Sequence, residues 1–104
     1  MTTEAIIRDY FDGWLKSDRD KVRSFLADNL KFRSPADNFD DADSFLDACW
    51  KYSRDFSEMT FEHGVFAADS GYIVYTSGDL CSGELIKIHD GKISEIYVTF
   101  SPTY

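Results

Sequence analysis

Four residues carry groups that could move a proton or hold a carbonyl: Tyr10, Ser34, His63 and Glu84. Glu84 stands near the start of a strand-like run, Gly83 to His89, in which Ile86 and Ile88 share its face and Leu85 and Lys87 take the other. If that face is interior, burial raises the carboxyl pKa toward neutrality. A protonated carboxyl can donate a hydrogen bond to a ligand carbonyl or act as a general acid. The same position also allows the side chain to reach water at a rim, so two readings stand. Tyr10 lies on an apolar helical stripe one turn before Trp14. It is either a core residue with a satisfied hydroxyl or a donor aimed into a cavity. His63 shares an alternating face with Met59, Phe61 and Val65, as a core or interface residue or as a base. Ser34 sits directly before Pro35 without a Gly-x-Ser-x-Gly elbow, which argues against a nucleophile. Arg33, opposite, reads as solvated or ion-paired.

Metal chemistry has little support. Two histidines with no Cys or carboxylate at ligand spacing do not make a zinc site. The acidic run Asp37 to Asp43 lacks the central glycine and the terminal bidentate glutamate of a calcium loop, so its carboxylates read as helix caps. Cys49 and Cys81 have no knuckle spacing and read as buried free thiols. No metal and no cofactor is expected.

These residues need elements to position them. Ile6, Ile7, Tyr10, Phe11, Trp14 and Leu15 recur at helical spacing, which predicts a helix over Thr3 to Lys16 with Thr3 as its cap. Asp18 caps a second, shorter helix burying Val22, Phe25 and Leu26, with Asn29 near its close. Leu30 to Ser34 alternates as a strand stopped by Pro35. A third helix is predicted over about Ala42 to Phe56, burying Phe45, Leu46, Cys49, Trp50 and Ser53. From Met59 the period is two. Asp69-Ser70-Gly71 reads as a turn, Tyr72 to Leu80 and Gly83 to His89 as strands, Asp90-Gly91 as a type I′ hairpin, and Lys92 to Phe100 as the last strand.

Three helices followed by mostly antiparallel strands predict one α+β domain over residues 1–104, a curved sheet wrapped by helices around a lined cavity. Aromatic content of 16% excludes disorder, and a net charge of −8 argues against nucleic acid and anionic membranes. No signal peptide is expected before Thr2-Thr3-Glu4, and no apolar run approaches the ~20 residues of a membrane span. A reducing cytoplasm is the expected compartment. A sheet this aromatic needs both faces covered, which makes a homodimer through the sheet the expected assembly.

Three segments carry a resemblance: Tyr10 to Asp18, Leu26-Ala27-Asp28-Asn29-Leu30-Lys31-Phe32, and Asp90-Gly91-Lys92-Ile93-Ser94-Glu95-Ile96. Through them, residues 3–101 resemble the SnoaL-like branch of the nuclear transport factor 2-like superfamily, whose fold is an α+β cone with a deep pocket. Relatives include polyketide cyclases, ketosteroid isomerase and limonene epoxide hydrolase. Ketosteroid isomerase uses an Asp base with a Tyr and a protonated Asp as oxyanion hole. The resemblance puts Tyr10 at that tyrosine, Glu84 at the protonated acid and Ser34 at the base. A serine does not shuttle protons as a carboxylate does, which leaves His63 as the substitute base. The Asp–Arg–Asp trio of limonene epoxide hydrolase does not assemble here.

The leading expectation is a pocket protein for an apolar small molecule, with isomerase-, cyclase- or hydrolase-type chemistry open. Tyr10 and Glu84 orient a carbonyl or hydroxyl, while Trp14, Phe32, Trp50, Val98 and Phe100 form walls; Trp14 and Trp50 read first as core aromatics, with a flat wall for a ring-shaped ligand as the alternative. The alternative is a non-catalytic association module using the outer sheet face around Glu95, Tyr97 and Thr99.

Overall fold

Helix α1 (Thr3–Leu15) is capped one residue earlier than its sequence suggests. Thr2 Oγ1 accepts from the Ala5 N–H at 3.1 Å, and Thr3 instead donates its hydroxyl to the Ala68 carbonyl at 2.6 Å. In this computed structural model, which describes residues 1–102, the apolar stripe of α1 buries Ile6, Ile7, Tyr10, Phe11 and Trp14. Leu15, expected on that stripe, is exposed at the helix end. Helix α2 (Arg19–Ser24) starts at Asp18 as expected, the Asp18 carboxylate accepting from the Lys21 N–H at 3.1 Å. A Cβ on Gly13 would lie 2.7 Å from Val22 Cγ2, so the glycine lets α2 fold back onto α1.

Strand β1 (Leu26–Arg33) begins earlier than predicted and takes up Leu26 and Asn29, both expected at the second helix. Strand β2 (Asn38–Phe39) pairs with its end. The Asp41 carboxylate caps α3 (Ala42–Cys49) by accepting from the Ser44 N–H at 2.7 Å, the capping role expected of the acidic run. The predicted third helix is not continuous. It tightens into a 3₁₀ turn at Trp50–Tyr52 before α4 (Ser53–Ser57).

Strands β3 (Thr60–Phe66), β4 (Ser70–Ser77), β5 (Leu80–His89) and β6 (Lys92–Pro102) complete one sheet of order β2-β1-β6-β5-β4-β3. Every pairing is antiparallel except β1 with β6, where Lys31, Phe32 and Arg33 lie beside Glu95, Ile96 and Tyr97. The Asp90-Gly91 hairpin has φ of 51° and 75°, the left-handed pair a type I′ turn requires. A second two-residue turn, Gly78-Asp79, interrupts the run read as one strand from Tyr72 to Leu80, with Gly78 at φ 58°. Register shifts at Phe61/His63 and Lys87/Ile88 mark bulges, which raise local twist and curl the sheet. The helices pack into the concave side, where Leu30, Phe32, Ile73, Ile86, Ile93, Ile96 and Val98 meet the α1 stripe. No helix among the described residues is long and apolar enough to cross a membrane.

Candidate functional site

The curl leaves a hollow between the concave face and the helices, a cavity of about 620 Å³ open at one end. Its depth is set by alternation in β4, β5 and β6. Register pairs Ile73 with Glu84 and Glu84 with Val98, so all three project to the concave side. Glu84 is 5% exposed and lines the cavity beside Tyr10, which is 2% exposed. Of the two readings of Glu84, the interior one is what the structure has.

The carboxyl has a partner that the sequence reading missed. Tyr75 of β4, itself 2% exposed, donates its hydroxyl to Glu84 Oε2 at 2.5 Å. Oε1 accepts no hydrogen bond from any described residue. Burial raises the Glu84 pKa to about 7, against the downward pull of the Tyr75 hydroxyl. The hydroxyls of Tyr10 and Tyr75 are both pushed up by burial and by the Glu84 charge, so both stay protonated as donors. Ser82, opposite Tyr75 and almost fully buried, adds a further polar group to this floor. A signal for Tyr75 was present, since Ile73 and Tyr75 alternate onto one face and a buried tyrosine needs a hydroxyl partner.

Aromatic rings build the walls. Trp14 packs against Phe56 at 4.9 Å and Phe45 at 6.4 Å between centroids, and Phe45 against Phe32 at 4.6 Å. Phe56 and Phe11 each approach Tyr75 within 6 Å. Trp14, Phe32 and Val98 line the cavity, and Phe100 lies at the mouth, 45% exposed. Cys49 joins the wall with its thiol pushed up to about 11 by burial, an unreactive state, and both cysteines are free.

Three expected site residues behave differently. His63 is off the cavity. The bulge after Phe61 shifts the alternation, so Phe61 pairs with Tyr75 on the concave side while His63 pairs with Val74 on the convex one. It is exposed on an edge strand and absent from the lining, which removes it as a base for this cavity. Trp50 packs against Trp14 at 4.8 Å between centroids, with the Arg19 guanidinium 5.9 Å from its ring, and lies outside the lining. The 3₁₀ turn changes the helical phase there and presents Tyr52 and Phe56 instead. Ser34 does line the cavity, but its hydroxyl donates to the Asp37 carbonyl at 3.0 Å and accepts from the Ala36 and Asp37 N–H groups. It closes a turn and cannot replace a base.

The mouth is formed by the β1–β2 loop, α4 and the β4–β5 hairpin, and carries Asp37, Asp55, Glu58 and Asp79. Ser77 Oγ donates to the Asp55 carbonyl at 3.1 Å, tying hairpin to helix beside the opening. Among the described residues no group of three or more His, Cys, Asp or Glu is arranged to hold a metal ion.

No family model matches the chain, and comparison with curated proteins finds no significant match. Solved structures do match over nearly its whole length. A SnoaL-like protein of unknown function from Burkholderia thailandensis superposes with TM-score 0.80 at 17% identity, covering 97% of this chain and 98% of that one. A nuclear transport factor 2-like protein of unknown function from Cytophaga hutchinsonii gives TM-score 0.76 at 13% identity, covering 98% and 92%. The chain has the nuclear transport factor 2-like fold. A candidate ketosteroid isomerase from Kribbella flavida shares it at TM-score 0.77 and 16% identity, covering 96% and 78%. At such identities the nuclear transport factor 2-like fold is what is shared, and function rests on the cavity itself.

Proposed function

We propose that this protein is a small-molecule pocket protein that takes an apolar ligand into the concave cavity and holds its polar end on Glu84, Tyr10 and Tyr75. The observation that carries this reading is a buried carboxyl poised near neutrality that lines a cavity of about 620 Å³, with one oxygen bound to Tyr75 and the other without a donor among the described residues. Such a volume suits a ligand of drug or steroid size, and aromatic walls with few convergent polar groups are the usual make-up of such sites. A carboxyl titrating near 7 both donates and accepts a proton at working pH, which supports isomerase-, cyclase- or hydrolase-type chemistry with Glu84 as the acid–base group. Tyr10, held protonated, would steady a developing oxyanion, while Tyr75 spends its one proton on Glu84.

The test is uptake of the neutral dye Nile red by the wild-type protein and by Val98→Trp, which pushes an indole into the cavity beside Glu84. Blue-shifted emission with the wild type and its loss in the variant support the reading. Equal behaviour of the two proteins, or no uptake, overturns it.

A second copy is the partner this reading takes for the convex face. Val65, Tyr72, Leu85 and Tyr97 stand in one register row there, with Val65 71% and Tyr72 43% exposed, an apolar stripe suited to self-association. The free thiols of Cys49 and Cys81 support a reducing, cytoplasmic location.

A further inference from the structure

We propose that the ligand of this cavity is an organic cation, an apolar or aromatic body bearing a protonated amine. The inference deepens the pocket reading above and rests on it. It starts from what the lining contains and what it lacks. Glu84 at the floor and Asp37, Asp55, Glu58 and Asp79 at the mouth give five carboxyl groups, while no lysine, arginine or histidine lines the cavity among the described residues.

A chain with net charge −8 scatters acids widely, so their number alone decides nothing. Their convergence on one opening with no base beside them does. Elsewhere on the surface some acids are met by bases, Asp12 by Lys16 and Lys21, Asp28 and Asp43 by Arg23, Asp40 by Arg33 and Asp47 by Arg19, while others such as Asp9, Asp20 and Asp69 stand apart from one another. None of the four mouth carboxylates takes part in an ion pair among the described residues. A cleft lined by one sign of charge with low-dielectric walls focuses its field and concentrates counter-ions.

The interior points the same way. Glu84 is 95% buried by its 5% exposure, and its Oε1 has no described donor, so a ligand N–H has an acceptor waiting there. The rings of Trp14, Phe45, Phe56 and Tyr75 line the same hollow, and aromatic faces attract cations, the more so where water is excluded. An ammonium group gains at the mouth, along the walls and at the floor. A carboxylate or phosphate meets repulsion at all three and finds no cationic side chain in return.

The experiment compares three ligands of one shape by isothermal titration calorimetry on the wild-type chain: 2-naphthylmethylamine, 2-naphthylmethanol and 2-naphthoate. The expected order is amine over alcohol by about 10-fold or more, with naphthoate weakest, and a gap that shrinks as salt rises. Glu84→Gln should lower amine affinity more than alcohol affinity. Should that buried variant fold poorly, the surface double variant Asp55→Asn/Asp79→Asn should narrow the same gap. Equal binding of amine and alcohol, or tightest binding of naphthoate, overturns the cation proposal and leaves the pocket reading standing. Binding of none of the three, together with failed Nile red uptake, removes both.

Discussion

Tyr75 and Glu84 are not directly opposed across β4 and β5; Ile73 faces Glu84 and Ser82 faces Tyr75, so the 2.5 Å hydrogen bond runs along the diagonal. A tyrosine is long enough to span that offset, which is why the pair forms only on a paired sheet. One carboxyl thus stands between two opposed influences. Burial drives it toward the neutral form, the Tyr75 hydroxyl favours the charged form, and burial wins at a pKa of about 7.

The first consequence is a Glu84 contribution to stability that falls with rising pH. The native state holds the Glu84 proton up to about pH 7, whereas the unfolded chain releases it near 4.5. A native state that binds more protons loses stability as pH rises, from nothing below the unfolded pKa to about 3 kcal/mol above the folded one. Other carboxylates shift the opposite way, so the comparison is with Glu84→Gln, which carries no charge at any pH. Urea midpoints should move in the variant's favour between the two pKa values. A difference that stays constant with pH would mean that Glu84 is not protonated in the fold.

Tyr75→Phe removes the one group pulling the Glu84 pKa down. The carboxyl should then titrate above 7, read from its carbon-13 shift in labelled protein. Above neutrality the ionised carboxyl loses its donor, at a cost of about 1–3 kcal/mol in denaturant unfolding. A downward shift would show that Tyr75 acts as packing rather than as a donor.

His63→Ala should leave Nile red uptake intact and change stability by no more than about 0.5 kcal/mol, since the side chain is solvated on the convex face. Ser34→Ala should cost about 1 kcal/mol through its turn, without moving the Glu84 titration. Loss of uptake in the histidine variant would place the ligand on the other side of the sheet.

Sedimentation equilibrium tests the convex face. Val65→Lys with Tyr72→Lys should convert dimer to monomer while circular dichroism stays unchanged. Gly83→Ala should weaken pairing as well, because its Cβ would fall 2.1 Å from the Tyr72 hydroxyl oxygen and the ring would have to lift. A wild-type monomer would end the dimer proposal.

Much of the fold and part of the site could be read from alternation and caps. Asp18 and Asp41 announce two helices by side-chain chemistry that acts within three residues, and Asp90-Gly91 announces a hairpin by its backbone preference. Glu84 and Tyr10 stood out because a polar group on an apolar stripe is a local anomaly. What escaped depends on distant neighbours. Tyr75 reads as an ordinary strand aromatic until register brings it beside Glu84. His63 was misplaced because a single bulged residue reverses the facing of everything after it, and nothing in Phe61-Glu62-His63 signals that bulge. The Gly78-Asp79 turn was legible, but the β-branched and aromatic run before it drew the strand past it.

The parallel pairing of β1 with β6 reaches beyond the site. Strand β6 lies between β1 and β5, so residues 26–33 find their main neighbour some sixty-five positions later, at residues 93–97. During synthesis one edge of β1 has no strand to pair with until that central plank arrives. Contacts of such long sequence separation slow folding and lengthen the interval in which bare strand edges can stick to one another. Strand β6 also carries Val98 and Phe100 of the lining, so the hollow has no complete wall until it is in place.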